Sequence, residues 1–335
     1  MLKKISIIVF LLSFSLLNAQ TDSLFIASWN VENLFDTLDT KDKNDEEFLP
    51  SGSKEWTSAR YNRKLANLAK VLSDMNNGKA PDVLGLIEVE NKSVVEDFAK
   101  TVSLRNYQVV HFESPDFRGI DNALMFDKEI FELISAYNFA VELDSNRTTR
   151  DILHVELKLK KDEEVFNFFV NHWPSRRGGL EGSEPNRIKA AEVLKNAVDS
   201  ILNENEYANI IMMGDFNDET DNKSIKEILG SSNFKCNDNH EENMLLNTSA
   251  QRDIDGEGTY LYQKNWNMLD QIIISKSLDD NKGWEYNCGS FDIFKKEYMI
   301  TKEGFFKGAI IPSFGGRKYL DGYSDHYPVS ITLIK

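Results

Sequence analysis

Apolar residues recur along the chain in short runs that are separated by polar and charged segments. Runs with the length of β-strands span residues 24–29, 83–87, 107–112, 123–126, 152–159, 165–170, 210–213, 272–274 and 329–334. Apolar and polar positions alternate from Ile152 to Leu159, which predicts a strand with one exposed face. The stretch from Ile210 to Met213 is continuously apolar, which predicts a strand buried on both faces.

Longer segments have apolar positions at helical spacing. This periodicity predicts helices from Thr57 to Asn76 and from Asn186 to Asn203, and a shorter helix from Ser224 to Leu229 that Gly230 ends. Many strands with few helices predict an α+β fold, in which sheets stack and helices cover their outer faces. Since no repeat and no Gly/Ser/Pro linker divides the chain, we expect one domain over residues 20–335.

The first nineteen residues have the pattern of a secretory signal peptide. Lys3 and Lys4 precede an apolar run from Ile5 to Leu17, and the small residue Ala19 follows. The run is short for a membrane-spanning helix, and no cysteine follows it that could carry a lipid. We therefore expect residues 1–19 to be removed, and the mature protein to be exported without a stable membrane partner.

The chain is acidic, with a formal net charge of −15 at pH 7. Removal of residues 1–19 takes away Lys3 and Lys4 and no acidic residue, so the mature charge is −15 − 2 = −17. Such a surface excludes a protein that holds nucleic acid by general electrostatic attraction. A polyanionic substrate must instead be bound locally, by metal ions and a few cationic side chains. We expect the protein to be a monomer.

Cysteine is rare in this sequence, which contains only Cys236 and Cys288. Neither residue stands in a CxxC motif or beside a catalytic nucleophile pattern. An oxidising compartment would allow them to pair, so a disulfide and two free thiols are both possible in an exported protein.

Polar residues with catalytic chemistry stand where the apolar runs begin or end. The motifs, in chain order, are Asn30 after 25–29, Glu88 after 83–87, Asn171-His172-Trp173 after 166–170, Gly214-Asp215-Phe216-Asn217 after 210–213, Asp270 before 272–274, and Ser324-Asp325-His326 before 329–334. Each motif alone is typical of a turn. Because strand ends and beginnings can meet at one rim of a sheet, we expect these residues to form one patch.

The side chains of this patch indicate the chemistry. Carboxylate and amide oxygens favour a hard cation such as Mg²⁺ or Mn²⁺, with Ca²⁺ as a further alternative, whereas the low histidine count disfavours zinc. A histidine paired with a carboxylate can act as a general acid or base near neutral pH. Together these groups predict metal-dependent hydrolysis of a phosphoester.

The six motifs, in this order, resemble the endonuclease/exonuclease/phosphatase superfamily over Leu24 to Ile334. That superfamily includes pancreatic-type deoxyribonuclease, apurinic endonucleases, inositol-polyphosphate phosphatases and neutral sphingomyelinases. The resemblance implies a four-layer α/β/β/α sandwich, with two mixed β-sheets face to face and helices outside. It also implies that Glu88 is the principal metal ligand, with Asn30 beside it and Asp325 as a further carboxylate on the metal side.

The resemblance assigns roles to the other residues of the patch. Asp215 would align the attacking water, and Asn217 would hold a phosphate oxygen. His326 would be the general base or contact the phosphate, with Asp270 orienting its ring. His172 would protonate the leaving oxygen or stabilise its charge.

Three further residues are candidates for binding the substrate or supporting the site. Asp121 stands where related branches keep a carboxylate that pairs with His172, although a turn residue would fit the sequence equally well. Arg176 and Arg177, in a glycine-containing loop, could clamp phosphate, and the alternative is a solvated loop.

Three functions are compatible with these residues. The first is an exported nuclease acting on DNA or RNA, which the His172 motif and the arginine loop favour. The second is a phosphomonoesterase or a sphingomyelinase-like lipid phosphodiesterase with the same metal centre. The third, a binding protein that has lost catalysis, predicts decay of the catalytic residues, and these are all present.

Overall fold

The computed structural model describes residues 22–143, 147–236 and 244–335. The predicted signal peptide lies outside these residues. Within them, no helix is both long enough and apolar enough to cross a membrane.

Strands and helices are numbered here in chain order. The strands are β1 (Ser23–Leu34), β2 (Val83–Val89), β3 (Tyr107–His111), β4 (Asp121–Asp127), β5 (Phe131–Phe139), β6 (Ile152–Leu159), β7 (Val165–His172), β8 (Asn209–Asp215), β9 (Ser231–Asn233), β10 (Leu245–Asn247), β11 (Tyr260–Tyr262), β12 (Asn265–Asn267), β13 (Asp270–Ser275), β14 (Glu285–Tyr286), β15 (Asp292–Ile293), β16 (Phe314–Gly315), β17 (Lys318–Tyr319) and β18 (Val329–Ile334). The α-helices are α1 (Ser58–Asp74), α2 (Lys92–Val102), α3 (Leu180–Glu204) and α4 (Ala250–Ile254). Short helical turns of other types span Glu46–Phe48, Asn76–Gly78, Ser224–Ile228, Lys276–Asp279 and Glu297–Met299.

Two mixed sheets form the centre of the molecule. The first has the strand order β14-β18-β1-β2-β4-β3, with β15 also paired to β18, and only β1 and β2 run parallel. The second has the order β5-β6-β7-β8-β13-β10-β9, with parallel pairs at β7/β8 and β9/β10. Two small hairpins, β11/β12 and β16/β17, lie outside both sheets.

The two sheets pack face to face, and helices cover their outer faces. Between the sheets, Gly85 of β2 faces Met213 of β8 so closely that an added Cβ would lie 3.0 Å from the Met213 methyl carbon. Helices α1 and α2 pack on the first sheet, and the buried face of α3 packs on Phe169 and Ile210 of the second. The α+β, four-layer sandwich implied by the sequence is confirmed.

Several boundaries differ from the sequence prediction. Helix α2 was not predicted, although Asn91 caps it by accepting a hydrogen bond from the Val94 N–H at 3.1 Å. Strand β5 was also missed. Helix α3 begins at Leu180 rather than at Asn186, and Pro185 lies in its second turn, where it removes one i→i−4 hydrogen bond.

The two cysteines pair. Cys236 and Cys288 form a disulfide with a Cα–Cα distance of 5.8 Å, and their sequence separation of 52 residues encloses β10 to β14. Of the two states that the sequence allowed, the structure has the cross-linked one.

Candidate active site

Strand pairing in the second sheet places three predicted site residues side by side. His172 of β7 pairs with Asp215 of β8, and Asp215 pairs with Asp270 of β13. The preceding residue, Gly214, has a φ of 138°, and a Cβ there would lie 2.0 Å from the Asn171 carbonyl oxygen. Glycine is therefore required where β7 and β8 converge below the site.

The first sheet supplies Asn30 and Glu88 through irregular backbone. The pairing of β1 with β2 shifts register after Asn30, and Glu88 has a φ of 66°, which is unusual for a residue other than glycine. The Asn33 N–H donates to Glu88 Oε2 at 3.1 Å, and Asn30 Nδ2 donates to Asp215 Oδ2 at 3.2 Å. The Asn30 contact joins the rims of the two sheets directly.

His326 is held on several sides. Its Nδ1 lies 2.7 Å from Asp270 Oδ2, which also accepts a hydrogen bond from Thr259 Oγ1 at 2.6 Å. Tyr260 stacks on the imidazole with the ring centroids 4.6 Å apart, and Trp29 Nε1 donates to the His326 carbonyl at 2.8 Å. The free ring nitrogen, Nε2, lies 3.9 Å from Asp215 Oδ2. The ring is therefore fixed with one nitrogen on Asp270 and the other close to Asp215.

His172 approaches Asp215 from the neighbouring strand with a looser set of contacts. Its Nε2 lies 3.7 Å from Asp215 Oδ2 and 3.9 Å from Glu88 Oε1. Its Nδ1 is buried and makes no hydrogen bond with any of the residues described. His172 therefore has an unused polar atom close to the reaction centre.

These environments shift the ionisation of the three groups in different directions. Burial would lower the pKa of His326, but the carboxylates of Asp270 and Asp215 outweigh it and hold that pKa well above its usual value. Burial, with the nearby Arg150 and Arg118, holds the pKa of His172 well below its usual value. Burial raises the pKa of Asp215 to about 7, and the charge of Asp270 acts in the same direction.

The site fits a hard divalent cation. Glu88, Asp215 and Asp325 face one cavity, and Asn30 lies below it, where its Nδ2 donates to Asp215 and its Oδ1 accepts from the Glu32 N–H at 3.0 Å. Burial, together with the charge of Glu88, raises the pKa of Asp325, as expected where carboxylates are crowded together. A set made of carboxylate and amide oxygens is the set that Mg²⁺ or Mn²⁺ prefers. Glu88, Asn30 and Asp325 are therefore the residues that would hold the cation, with Asp215 beside them.

The cavity has a volume of about 660 Å³ and contains most of the predicted site residues. Those that line it are Glu88, His172, Arg176, Arg177, Asp215, Asn217, Asp325 and His326. Asn30 and Asp270 lie buried beneath it and bond to lining residues. The sequence motifs therefore converge on one patch.

The two loop arginines have different surroundings. Arg176 donates from Nε to the Asn217 carbonyl at 2.8 Å and from its terminal nitrogens to Asn267 Oδ1 and Asn222 Oδ1, each at 3.0 Å. Arg177 is exposed at the mouth of the cavity. Arg176 thus stabilises the loop, while Arg177 is free to approach a substrate; phosphate clamping stays a prediction for both.

Asn217 is tied to the protein on both sides. Its backbone N–H donates to Asp215 Oδ1 at 2.9 Å, and its Nδ2 donates to the Trp173 carbonyl at 3.0 Å. The first bond orients the Asp215 carboxylate. The contact of Asn217 with a phosphate oxygen stays a prediction.

Asp121 requires a correction, since its partner is His111 and not His172. Asp121 Oδ2 lies 3.2 Å from His111 Nε2, and Asp121 Oδ1 accepts a hydrogen bond from the Ser114 N–H at 2.9 Å. Both residues belong to the first sheet, where β3 and β4 are neighbours, whereas His172 belongs to the second. The side chain is 1% exposed, so Asp121 does not offer a substrate-binding surface.

Two cationic residues near the site were missed by sequence reasoning. Arg118 lines the cavity and is held by Asp116, whose other oxygen accepts from the buried Arg150 at 3.1 Å. Lys64 of α1 is buried and donates to Ser313 Oγ at 2.6 Å. Lys64 had a detectable signal, because it interrupts the apolar stripe of its helix. Arg118 lies in an irregular segment, where no periodicity points to it.

Comparison with known proteins finds relatives by sequence profile and by fold. The profile described as the Endonuclease/Exonuclease/phosphatase family matches residues 25–335. No curated protein sequence matches the chain. Among solved structures, an endonuclease/exonuclease/phosphatase family protein from Bacteroides thetaiotaomicron is 16% identical, with a TM-score of 0.59 and coverage of 94% of this chain and 98% of that one.

Two further structures show the same fold with different functions in their names. A mannosyl-6-phosphatase from Bacteroides thetaiotaomicron is 15% identical, with a TM-score of 0.59 and coverage of 93% of this chain and 100% of that one. TDP2 from D. rerio, complexed with a single-strand DNA product, is 16% identical, with a TM-score of 0.56 and coverage of 93% and 98%. At these identities the likeness establishes the fold.

Proposed function

The chain belongs to the endonuclease/exonuclease/phosphatase family, and we propose that it is an exported nuclease that hydrolyses phosphodiester bonds of DNA or RNA. Members of this family are metal-dependent phosphoester hydrolases, so the chain is a divalent-metal-dependent hydrolase of phosphoester bonds. The substrate, the export and the choice of Mg²⁺ or Mn²⁺ are parts of the proposal.

The observation that supports a diester substrate is the pair of histidines beside Asp215. Their Nε2 atoms lie 3.7 Å and 3.9 Å from the same carboxylate oxygen, and their pKa values are shifted in opposite directions. A diester with a sugar leaving group needs a charged donor for the phosphoryl oxygen and a second polar group for the departing alkoxide. Two histidines in different states supply both.

The side chains divide the reaction as follows. Asp215, with a pKa of about 7 and both oxygens held by Asn30 and Asn217, aligns the attacking water and accepts its proton. His326 is protonated, and its Nε2–H donates to a phosphoryl oxygen. His172 donates to the leaving oxygen. A bound cation would supply Lewis-acid polarisation of the phosphoryl group.

The disulfide supports export. Structural disulfides form and persist in oxidising compartments and are rare in the cytosol. Cys236 and Cys288 are cross-linked, and residues 1–19 have the composition of a signal peptide. We propose a periplasmic or extracellular protein on these two grounds.

A phosphomonoesterase is the second candidate. The mature chain is strongly acidic, and the fold matches a mannosyl-6-phosphatase as well as it matches any of the structures compared above. A compact monoester needs only a local cluster of cations, which the cavity offers in Arg118 and Arg177.

The test is a substrate panel on the mature chain, residues 20–335. Plasmid DNA, RNA, bis(p-nitrophenyl) phosphate and p-nitrophenyl phosphate are each incubated with Mg²⁺, with Mn²⁺ and with EDTA. We expect hydrolysis of nucleic acid and of the diester, and loss of all activity in EDTA. Faster turnover of the monoester than of any diester would replace the nuclease proposal with the phosphatase.

A matched pair of variants connects this activity with the site. Glu88→Gln keeps the size of the side chain but removes the charge beside the predicted cation, so we expect hydrolysis at ordinary Mg²⁺ concentrations to be abolished. Glu96→Gln, on the exposed face of α2, is the control and should retain full activity. Equal rates for the two variants would remove Glu88 from the metal site.

A further inference from the structure

His111, Glu113 and Asp121 converge at the edge of the first sheet, outside the active-site cavity. One potential ligand atom of each side chain lies within 4.8 Å of the others. His111 is the last residue of β3, and Asp121 is the first residue of β4. The segment between them, residues 112–120, carries Arg118 to the active site.

The contact between His111 and Asp121 is not an ordinary hydrogen bond. His111 Nε2 and Asp121 Oδ2 are 3.2 Å apart, and their side chains are only 3% and 1% exposed. Yet neither atom makes a hydrogen bond with any residue in the described part of the chain. Buried polar atoms in this situation are costly unless another group satisfies them.

The His326–Asp270 pair shows how a hydrogen-bonded histidine and carboxylate look in this same structure. Its Nδ1 and Oδ2 are 2.7 Å apart and aligned. The separation in the His111 pair is instead close to the ~3.3 Å between two ligands that each lie about 2.0 Å from a tetrahedral Zn²⁺ ion. This spacing, with both atoms unbonded, fits two ligands that point at a shared cation.

The surroundings supply the remaining features of a metal site. Asp121 Oδ1 accepts from the Ser114 N–H at 2.9 Å, which orients the carboxylate as secondary hydrogen bonds orient metal ligands. Lys43 Nζ donates to the backbone carbonyls of Ser114 and Asp116 rather than to one of the three candidate ligands. Glu113 is exposed and leaves room for water as a further ligand.

We propose that His111, Glu113 and Asp121 bind a second divalent cation, of the class that prefers mixed imidazole and carboxylate ligands, with Zn²⁺ as its representative. The cation joins β3 to β4 and fixes the segment 112–120. Arg118, which that segment carries, is thereby positioned at the active-site cavity. This site differs in ligand chemistry from the oxygen-rich centre at Glu88, and the inference does not depend on which phosphoester is the substrate.

The test measures Zn²⁺ binding directly, on the mature chain stripped with a chelator. Bound zinc is quantified by elemental analysis after gel filtration and by competition with a fluorescent zinc chelator. The Glu88→Gln background weakens the oxygen-rich centre, and the ligand variants described next assign any retained equivalent of zinc to one site or the other. We expect one equivalent of Zn²⁺ in Glu88→Gln, with a melting temperature that rises when Zn²⁺ is added.

Ligand variants in that background identify the site. Asp121→Asn and Glu113→Gln should each weaken Zn²⁺ binding by at least about tenfold. Glu113 is exposed, so Glu113→Gln should fold normally and keeps the test decisive if Asp121→Asn does not fold. Glu96→Gln is the control and should leave the zinc affinity unchanged.

Two results would overturn the inference. One is the absence of zinc binding in the Glu88→Gln chain. The other is an unchanged zinc affinity in Glu113→Gln and in every folded variant of Asp121. Because zinc binding is measured without a substrate, these outcomes leave the proposed nuclease activity untouched.

Discussion

His172 and His326 lie at nearly the same distance from Asp215, but their surroundings differ. His326 has a carboxylate on its second nitrogen, whereas the second nitrogen of His172 is buried without a hydrogen bond among the residues described. Asp270 keeps one imidazole charged, and burial beside arginines keeps the other neutral. The surroundings of the two histidines, and not their distances from Asp215, therefore determine which one is charged and which one is neutral.

The largest effect is expected from loss of His326, the charged histidine of the pair. His326→Ala removes the imidazolium that donates to the phosphoryl oxygen, and kcat should fall by ~10²–10³-fold, as for the loss of one preorganised donor. Single-turnover rates on a DNA oligonucleotide would measure this. A loss of less than threefold would contradict the role of His326.

Asp270→Asn tests the cause of that charge. The amide can keep the contact with the ring but removes the negative charge, so the pKa of His326 should fall. Because His326 must be protonated to donate, the activity of the variant should be lost at lower pH than that of the wild type. A pH profile from 5 to 10 that is identical in the two proteins would contradict this account.

His172 should show a smaller effect that depends on the leaving group. A sugar alkoxide needs a hydrogen-bond donor, while p-nitrophenolate leaves unassisted. His172→Ala should therefore lower the rate on DNA by about 10²-fold and leave bis(p-nitrophenyl) phosphate almost unaffected. Equal losses on both substrates would place His172 elsewhere in the reaction.

The loop arginines should give still smaller and separable effects. Arg177→Ala should raise KM for DNA by up to roughly fivefold, the range of an exposed ion contact, without changing the melting temperature. Arg176→Ala should instead lower the free energy of unfolding by about 1.5–3 kcal/mol, because its acceptors lose charged donors. The opposite result would exchange the roles of the two residues.

A further buried histidine, His154, does not line the cavity and isolates the effect of burial. Burial lowers the pKa of His154, which contacts Asn167 Oδ1 at 2.9 Å and stacks on Phe169. The unfolded chain therefore binds a proton at His154 below pH 6.5 that the folded chain does not. As the pH is lowered from 6.5, the free energy of unfolding should fall, with a slope of at most about 1.4 kcal/mol per pH unit.

Replacement of this residue provides the check on that slope. His154→Gln should be less stable at pH 8, because the stacking on Phe169 is lost. The part of the slope that His154 contributes between pH 6.5 and 5 should disappear, as followed by urea titrations at several pH values. An unchanged slope would mean that burial alone does not suppress ionisation in this fold.

The sequence predicted the members of the active site better than their contacts. Asn30, Glu88, Asp215 and Asp270 could be found because each interrupts an apolar run, and an apolar run marks a strand wherever it lies. The assignment of Asp121 to His172 was wrong because the choice between two histidines depends on sheet order. Sheet order depends on contacts between distant segments, and local periodicity carries no information about those contacts.

Other features were missed for local reasons. Helix α2 has four buried apolar residues within eleven, a pattern that a short strand followed by a turn also produces. The register shift after Asn30 and the φ of 66° at Glu88 have no signature in residue type. Yet these two irregularities aim the side chains that would hold the cation.

The contact between Gly85 and Met213 lies where the two sheets meet, and it relates the geometry of the site to the spacing between the sheets. The metal-side residues Asn30 and Glu88 belong to one sheet, and Asp215 belongs to the other. A methyl group at Gly85 would press against the Met213 side chain, which would have to shift to make room between the sheets. The 3.2 Å bond between Asn30 and Asp215 crosses the same interface between the sheets. Because the site is divided between two layers, a change in the packing between the sheets should alter activity even where each sheet keeps its own hydrogen bonds.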